Sequence, residues 1–442
     1  MTVNNLNPAC ITRAAALSAS SMLPPLIEII PPALPVSATV VLPGSKSLTN
    51  RALTLAALAD GTVTLHGALW SEDTQAMAHC LRTLGFAVAV RDDDAEPANR
   101  TIVVEGRGGE IPLSGTLEAP LELFVENAGT AARFLAALVC LGRGHYRISG
   151  VPRMHQRPQA ALFGSLRELG YTVDTPNDFL PAVITGGGPR EGASCTVSVE
   201  ESSQFASALI LCQRTGGWQV NVTGANDDEL PYVDMTRRLV AGFPWQGGIY
   251  VIEPDASGAS YFWGADWLLR ESGGSVRVAP EPVSGMQADQ HFADLILRHP
   301  WKSTCSRATE LADSIMTAIV LAPFAPDVTQ FTHLGRLRVQ ECERVAALRT
   351  ELTKCRARVE EHGDTLTVYP APLHGAEIET YNDHRMTMCF AMLGLRVPGI
   401  RIQNPSCVKK TFPNFFTKLA SLGAQITDAT GRTLTGDDLL AD

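Results

Sequence analysis

Basic residues accompany several short polar segments that are spread widely along the chain. Lys46 and Arg51 lie in the segment LPGSKSLTNR, Arg344 ends the segment RVQECER, and Arg385 lies in YNDHRM. Arginine binds carboxylates and phosphates through paired hydrogen bonds, and lysine supplies a compact positive charge. These residue types predict a site for a small molecule that carries several negative charges.

Three further segments have the same character. Arg153 and Arg157 are four residues apart in PRMHQRP, and Lys410 lies in VKKTFP. Gly129, in NAGTAAR, allows the backbone to approach a ligand closely. Each segment alone is about equally well explained as a solvated charged surface, so the prediction of a binding site depends on their combination.

Two carboxylates are candidates for proton transfer. Asp313 opens an apolar helical segment, where the alternative role is that of an N-cap, worth about 1 kcal/mol. Glu341 precedes Arg344 by three residues, which places the two on one face of a helix. A carboxylate surrounded by arginine and lysine can stay ionised, as a general base must.

The elements that would position these residues alternate between short β-like runs and longer amphipathic patterns, which is typical of α/β proteins. A loop of small and polar residues repeatedly runs into an apolar helical stretch. Helix N-termini offer free N–H groups and a positive dipole end, so six of them facing one cleft would bind anions without a metal. The six predicted helix starts are Gly44–Arg51, Asn127–Arg133, Ser202–Phe205, Asp255–Tyr261, Ala312–Thr317 and Asn382–Met386.

Composition excludes several classes of protein. The 442 residues are 45% hydrophobic and 19% charged, with a formal net charge of −10, which disfavours general nucleic-acid binding. No apolar run approaches the length of a membrane helix. Ten scattered cysteines without a CxxC pair favour the reducing cytoplasm. The segment around Lys46 lacks the GxxxxGK[ST] pattern of an ATP-binding loop.

Residues 1–41 are expected to form a leader followed by a first strand. The leader is rich in Ala and Ser, contains Arg13, and has prolines that would break a helix. A flexible extension and a targeting segment both fit this composition.

In combination and in order, these segments resemble the 5-enolpyruvylshikimate-3-phosphate (EPSP) synthases, a family of enolpyruvyl transferases. The likeness extends from about Val41 to Leu422. The segments that carry it are PGSKSLTNR, ENAGTAARF, PRMHQRP, SSQF, PYVDMT, DASGASYF, TYNDHRMTMCF and KTFP. The resemblance implies a two-lobed, inside-out α/β barrel with three βαβαββ repeats in each lobe. We expect lobe 1 to span 42–253 and lobe 2 to span 254–442.

The resemblance also implies the roles of individual residues. Phosphoenolpyruvate would be held by Lys46, Gly129, Arg153, Gln204, Arg344, Arg385 and Lys410. The acceptor, shikimate 3-phosphate, would be held by Ser47, Arg51, Ser202, Ser203, Tyr232, Asp313, Arg336 and Gln340. Asp313 would take the proton of the acceptor hydroxyl, Glu341 would protonate the methylene carbon of phosphoenolpyruvate, and Lys46 would assist. No metal or cofactor is implied, and a cytoplasmic monomer is expected.

Three positions depart from the pattern of the family. Gln340 replaces a lysine, Glu229 replaces a serine, and Arg336 stands where some members have asparagine. A glutamate facing a phosphate is repulsive. An enolpyruvyl transferase with another acceptor alcohol is therefore an alternative, and a ligand-binding protein without catalysis is a second one, disfavoured because Asp313 and Glu341 are both present.

Overall fold

A computed structural model of the chain describes residues 23–33, 35–224, 229–297 and 301–441. It has a mixed α/β fold in which short strands alternate with helices, as the sequence pattern predicts. The strands are β1 (Leu26–Ile30), β2 (Ser37–Val40), β3 (Thr62–Leu69), β4 (Val88–Asp92), β5 (Asn99–Glu105), β6 (Leu121–Phe124), β7 (Arg143–Ser149), β8 (Thr172–Asp174), β9 (Ala182–Gly187), β10 (Ser194–Ser198), β11 (Gln219–Thr223), β12 (Gly248–Val251), β13 (Ser275–Val278), β14 (Thr304–Ser306), β15 (Thr329–Thr332), β16 (Val359–His362), β17 (Thr365–Val368), β18 (Glu377–Ile378), β19 (Ile400–Gln403) and β20 (Gln425–Asp428).

The helices lie where apolar residues recur with helical spacing. Short 3-10 turns, such as Met154–Gln156 and Gly335–Val339, connect some of them. The α-helices are α1 (Lys46–Leu58), α2 (Glu72–Thr83), α3 (Gly129–Leu138), α4 (Ala160–Glu168), α5 (Ser203–Gly216), α6 (Leu230–Gly242), α7 (Ala256–Leu269), α8 (His291–Leu297), α9 (Ile315–Leu321), α10 (Arg344–Lys354), α11 (His384–Leu393) and α12 (Phe415–Ser421).

The strands form several small sheets instead of one continuous sheet. In the order of neighbouring strands, these are β12-β3-β5-β4, β6-β7-β9-β8, β10-β11, β18-β19-β1-β20, β13-β2 and β14-β15-β17-β16. The four-stranded sheets mix both orientations: β12 runs parallel to β3, whereas β5 runs antiparallel to it. Helices connect the parallel neighbours, as such crossovers require.

Buried hydrophobic residues fall into two separate clusters. The first core contains residues between Leu48 and Ile252. The second core contains residues between Leu23 and Leu42 together with residues between Ala259 and Ala441. Strand β1 belongs to the second core because it pairs antiparallel with both β19 and β20. The predicted leader itself, residues 1–22, lies outside the described residues.

Six helices begin where the sequence predicts them, namely α1, α3, α5, α7, α9 and α11. Three of these are capped by a polar side chain: Ser202 accepts from the Gln204 N–H, Asp255 from the Gly258 N–H, and Asp383 from the Arg385 N–H. Each cap satisfies one of the free N–H groups of the first turn. Among the described residues, no helix is long and apolar enough to cross a membrane.

Candidate active site

All six predicted helix starts contribute residues to one cavity, which confirms that they converge. Its lining includes Lys46 from α1, Gly129 from α3, Ser203 from α5, Ser257 from α7 and Arg385 from α11, and Asp313 from the turn before α9. The cavity measures about 100 Å³, below the roughly 300–1,000 Å³ of typical ligand sites, because charged side chains from both cores fill it. A ligand must therefore break some of the ion pairs described below when it binds.

Two lysines from distant segments share one buried carboxylate. The Lys46 Nζ lies 3.1 Å from Asp73 Oδ2, and the Lys410 Nζ lies 3.0 Å from Asp73 Oδ1. Lys410 also donates to the backbone carbonyl of Asn127 at 2.8 Å. Asp73 is 2% exposed and opens α2. One negative charge thus holds two positive charges, and the three side chains together keep a net positive charge. Of the two lysines, Lys46 lines the cavity and Lys410 lies beside it.

Arg344 is held from behind by a second buried carboxylate. Its Nε donates to Asp383 Oδ2 at 2.7 Å, and Asp383 is fully buried. The outer edge of the guanidinium contacts Glu341 at 2.9 Å and the amide oxygen of Gln340. Asp383 thus orients Arg344 towards the cavity while Asp383 itself caps α11.

Asp313 lies among three guanidinium groups. Its carboxylate is 3.0 Å from Arg307, 3.5 Å from Arg385 and 3.9 Å from Arg344. Burial by itself would raise the pKa of Asp313, but the positive charges of Arg385, Arg307 and Arg344 lower it far below the usual range. Asp313 is therefore ionised in the substrate-free cavity and can accept a proton.

Glu341 has a comparable environment. Burial opposes ionisation, yet Arg344, Arg157 and Lys410 lower the pKa of this carboxyl well below its usual value. These cations therefore favour the ionised form of Glu341 in the cavity.

Two arginine side chains lie so close to the backbone of Gly129 that a larger residue would contact them. A Cβ at this position would lie 2.6 Å from Arg133 Nη1 and 2.7 Å from Arg157 Nη2. Arg157 is 8% exposed, lines the cavity and donates to the Asn127 carbonyl at 3.1 Å. Glycine therefore keeps this wall of the cavity open for guanidinium groups and for a ligand.

Arg153, which the resemblance assigned to phosphoenolpyruvate, does not line this cavity. It contacts Gln156 and donates to the backbone carbonyl of Gln340 at 2.8 Å. Arg153 and Arg157 flank the 3-10 turn Met154–Gln156, and only Arg157 lines the cavity. In our assignment Arg157 replaces Arg153, which instead bridges to the loop that carries Gln340.

The residues expected to hold the acceptor belong to the same cavity. Arg51 is buried, and donates to Thr236, to Ser207 and to the backbone carbonyl of Ser47. Ser203 begins α5 and follows the cap Ser202. Of the residues expected to hold the acceptor, Ser202 is buried next to Ser203, and the others line the cavity: Ser47, Arg51, Ser203, Tyr232, Asp313, Arg336 and Gln340.

The three departures from the family pattern belong to the same cavity. Glu229 is 4% exposed and accepts a 2.6 Å hydrogen bond from the Ser203 N–H. Arg336 Nε is 3.4 Å from the other oxygen of Glu229. Gln340 lies beside Arg344 and its amide is 3.5 Å from Asp313.

Sequence reasoning missed Asp73, Asp289, Arg307 and the role of Asp383. Asp289 is buried, and its Oδ1 accepts from the Ser314 N–H at 2.7 Å. Asp73 and Asp289 belong to no motif, and their partners are distant in sequence. Arg307 is six residues from its partner Asp313, but no motif marks it. Only Asp383 had a signal, through its position directly before a helix. Among the described residues, no group of three His, Cys, Asp or Glu side chains could hold a metal ion.

Comparison with known proteins identifies the family of this chain. The family model for EPSP synthase (3-phosphoshikimate 1-carboxyvinyltransferase) matches residues 31–246 and 239–419. The chain therefore belongs to the EPSP synthase family, whose members are enzymes.

Curated relatives match along almost their whole length. A 3-phosphoshikimate 1-carboxyvinyltransferase of Nostoc punctiforme is 37% identical over 424 residues, which cover 87% of this chain and 96% of the relative. The corresponding protein of Opitutus terrae is 39% identical over 435 residues, covering 90% and 98%.

Solved structures share the fold. An EPSP synthase from Acinetobacter baumannii superposes with a TM-score of 0.69 at 21% identity, covering 91% of this chain and all of that one. The enolpyruvyl transferase NikO from Streptomyces tendae gives 0.62 at 17% identity, covering 93% and 99%.

Proposed function

We propose that this protein is a 3-phosphoshikimate 1-carboxyvinyltransferase, which transfers the enolpyruvyl group of phosphoenolpyruvate to a hydroxyl of shikimate 3-phosphate and releases phosphate. One observation carries the proposal. Lys46, Arg344 and Arg385 from three distant segments line one cavity together with the carboxylates Asp313 and Glu341. Membership of the EPSP synthase family supports the same reaction.

In this proposal, the cationic end of the cavity binds phosphoenolpyruvate, which carries a phosphate and a carboxylate. The binding residues are Lys46, Gly129, Arg157, Gln204, Arg344, Arg385 and Lys410. Arg157, Arg344 and Arg385 suit bidentate contacts, and the lysines suit a point charge on phosphate. The buried partners Asp73 and Asp383 keep these cations in place before the substrate arrives, so little reorganisation is needed in the reaction.

Asp313 removes the proton of the acceptor hydroxyl, whose oxygen then bonds to the central carbon of phosphoenolpyruvate. Glu341 gives a proton to the methylene carbon, and Lys46 assists. The resulting tetrahedral ketal carries the phosphate as a leaving group. Loss of a proton from the new methyl group and of phosphate restores the enol double bond, so that atoms and charges balance. Substrate anions offset the guanidinium charges and thereby raise the pKa of both carboxyls towards useful values.

For the acceptor, relatives at 37% and 39% identity along nearly the whole chain favour shikimate 3-phosphate over another alcohol. Ser47, Arg51, Ser202, Ser203, Tyr232, Arg336 and Gln340 line or border the end of the cavity assigned to it. The three departures from the family pattern thus alter how this acceptor is held.

We also propose the two-lobed form, with lobe 1 spanning 42–253 and lobe 2 spanning 254–442. The two separate cores support this division, as does the distribution of three sheets to each core. Three sheets per lobe fit three βαβαββ repeats arranged as an inside-out barrel. We also propose a cytoplasmic location, which fits the nine described cysteines, all of which are free. A monomer stays an expectation.

The direct test is release of inorganic phosphate when the purified protein is mixed with phosphoenolpyruvate and shikimate 3-phosphate. Turnover is expected with both substrates together and with neither alone. The matched control is Lys46→Ala, which removes a cation from the cavity. Phosphate release that is no greater than in this control would reject the proposal, and turnover only with a different alcohol would restore the alternative acceptor.

A further inference from the structure

The cations of the cavity divide into two groups by the acids that accompany them. Lys46 and Lys410 share Asp73, and Arg344 is backed by Asp383. Arg307 and Arg336 instead lie on either side of Glu229. Each group has at least two positive charges, as a bound dianion requires. The first group is already assigned to phosphoenolpyruvate.

Glu229 occupies a position built for an anion. Its Oε2 accepts from the N–H of Ser203, at the positive end of the fourteen-residue helix α5. Its Oε1 lies 3.4 Å from Arg336 Nε and 4.0 Å from Arg307 Nη2. An N–H group at a helix start and two guanidiniums are donors that suit a phosphate group.

Arg336 is the more available of the two guanidiniums. It lines the cavity with a side-chain exposure of 12%, against 1% for Arg307. The third cation nearby, Arg51, is already committed to Thr236 and Ser207. An arriving phosphate would therefore gain more from Arg336 than from Arg51.

From this arrangement we propose that Arg336, with Arg307, binds the phosphate of the acceptor, and that Glu229 is an internal anion that holds this position until the acceptor displaces it. The inference rests on the proposed function for the identity of the acceptor. Glu229 keeps the two guanidiniums and the start of α5 aligned in the free enzyme. Displacement is required because a carboxylate and a phosphate cannot share the same N–H group and the same cations.

The consequence is a specificity device in which Glu229 competes with the substrate. A serine at this position would leave the subsite open to phosphate. With glutamate, the acceptor phosphate must displace the carboxylate before it can bind. Affinity for the acceptor should thus be lower than the number of its cationic partners suggests, while affinity for phosphoenolpyruvate is unaffected.

The first experiment removes the competitor. In Glu229→Gln the amide can still accept from the Ser203 N–H but carries no charge, and Glu229→Ser opens the space as well. We expect the Kd for shikimate 3-phosphate, measured by calorimetric titration, to fall about tenfold or more in both variants, a gain typical of a charged hydrogen bond. The KM for phosphoenolpyruvate should stay within about twofold of wild type. Weaker binding of shikimate 3-phosphate by Glu229→Gln would overturn the proposal, since it would make Glu229 a ligand of the acceptor.

The second experiment removes the proposed partner. Arg336→Gln should raise the KM for shikimate 3-phosphate by about 10- to 100-fold with little change in the KM for phosphoenolpyruvate. The matched control is Arg338→Gln, two residues away in the same 3-10 turn, where Arg338 pairs with Glu343, Glu361 and Asp364 on the surface. Equal effects of the two changes, or none from Arg336→Gln, would reject the assignment. Arg307 is a poor target because it also contacts Asp313.

Titration with inorganic phosphate separates this inference from the proposed function. One outcome is that wild type does not turn over shikimate 3-phosphate, while Glu229→Gln binds phosphate more tightly than wild type and Arg336→Gln binds it more weakly. This outcome would support the phosphate subsite and reject shikimate 3-phosphate as the acceptor. If turnover is normal but neither change alters binding of phosphate or of shikimate 3-phosphate, the subsite is wrong and the function stands. The surface variant Glu201→Gln, next to Ser202, controls for a general change in charge near α5.

Discussion

The two ends of the cavity use buried carboxylates in opposite ways. At the proposed donor site, Asp383 lies behind Arg344 at 0% exposure, and of this pair only Arg344 lines the cavity. At the acceptor end, Glu229 lies between the cations and the start of α5, where a ligand would bind. A carboxylate behind a cation orients it for binding, whereas a carboxylate in front of it competes with the ligand.

The largest loss of activity is expected from Arg344→Gln, which changes the proposed phosphoenolpyruvate site. This change leaves Asp383 buried without its 2.7 Å partner and removes a proposed phosphoenolpyruvate contact. We expect kcat/KM to fall by about 10³ or more, and the free energy of unfolding to fall by about 3–5 kcal/mol, as for a buried ion pair that loses one member. Assays of phosphate release and denaturant titrations check both values.

Arg349→Gln is the control for that change, because Arg349 is 47% exposed and pairs with Glu361 at the surface. It should be close to wild type in activity and stability. If Arg344→Gln resembled this control, the donor end would not depend on a preorganised guanidinium.

The next effect concerns proton transfer. Asp313→Asn keeps the shape of the side chain but removes the base, so kcat should fall by about 10²–10⁴ while the KM for phosphoenolpyruvate changes little. Steady-state kinetics with each substrate varied in turn measure this difference. An unchanged kcat would show that another group takes the proton.

The pH profile of the wild type sharpens this test. Because Arg385, Arg307 and Arg344 lower the pKa of Asp313 in spite of its burial, this carboxylate stays ionised as pH falls through the ordinary carboxyl range near 4. The profile of kcat/KM, which reports the free enzyme, should therefore show no acid limb from Asp313 in that range. Its ion pairs stabilise the fold above an unfolded pKa of about 3.9, and that contribution is lost only as pH falls below it. An acid limb near pH 4 that shifts along the pH axis in Asp313→Glu would contradict the lowered pKa.

A smaller effect distinguishes two arginines of one motif. Arg157→Gln should raise the KM for phosphoenolpyruvate by about 10- to 100-fold, since Arg157 lines the cavity beside Gly129. Arg153→Gln should change it by less than about threefold, because Arg153 contacts a backbone carbonyl outside the cavity. The reverse order of effects would restore the assignment that the resemblance suggested.

The smallest predicted effect is that of a single methyl group. Gly129→Ala places a Cβ within 2.7 Å of Arg133 and Arg157, and these flexible guanidiniums must shift. We expect the KM for phosphoenolpyruvate to rise about tenfold with no change in the Kd for shikimate 3-phosphate, an effect confined to the donor end. Gly164→Ala, a glycine with open space around its Cβ position, is the matched control. Equal loss of affinity for phosphoenolpyruvate and for shikimate 3-phosphate would contradict the proposal of separate sites for the two substrates.

The sequence alone determined much of this protein. Apolar spacing predicted that short strands alternate with longer helices, as they do in the structure. Polar segments before apolar ones predicted the six helix starts, since caps and dipole ends follow local rules. The ordered motifs also indicated the family, and most residues expected at the site do line one cavity.

Only the tertiary structure decided which charges meet. Lys46, Asp73 and Lys410 are far apart in sequence, and nothing local indicates that one aspartate holds both lysines. The choice between Arg153 and Arg157 depended on the short turn between them, and the effect of Glu229 depended on its contact with Ser203. Local propensity acts over a few residues, whereas ion pairing and desolvation act through space, so they can be read only after the chain has folded.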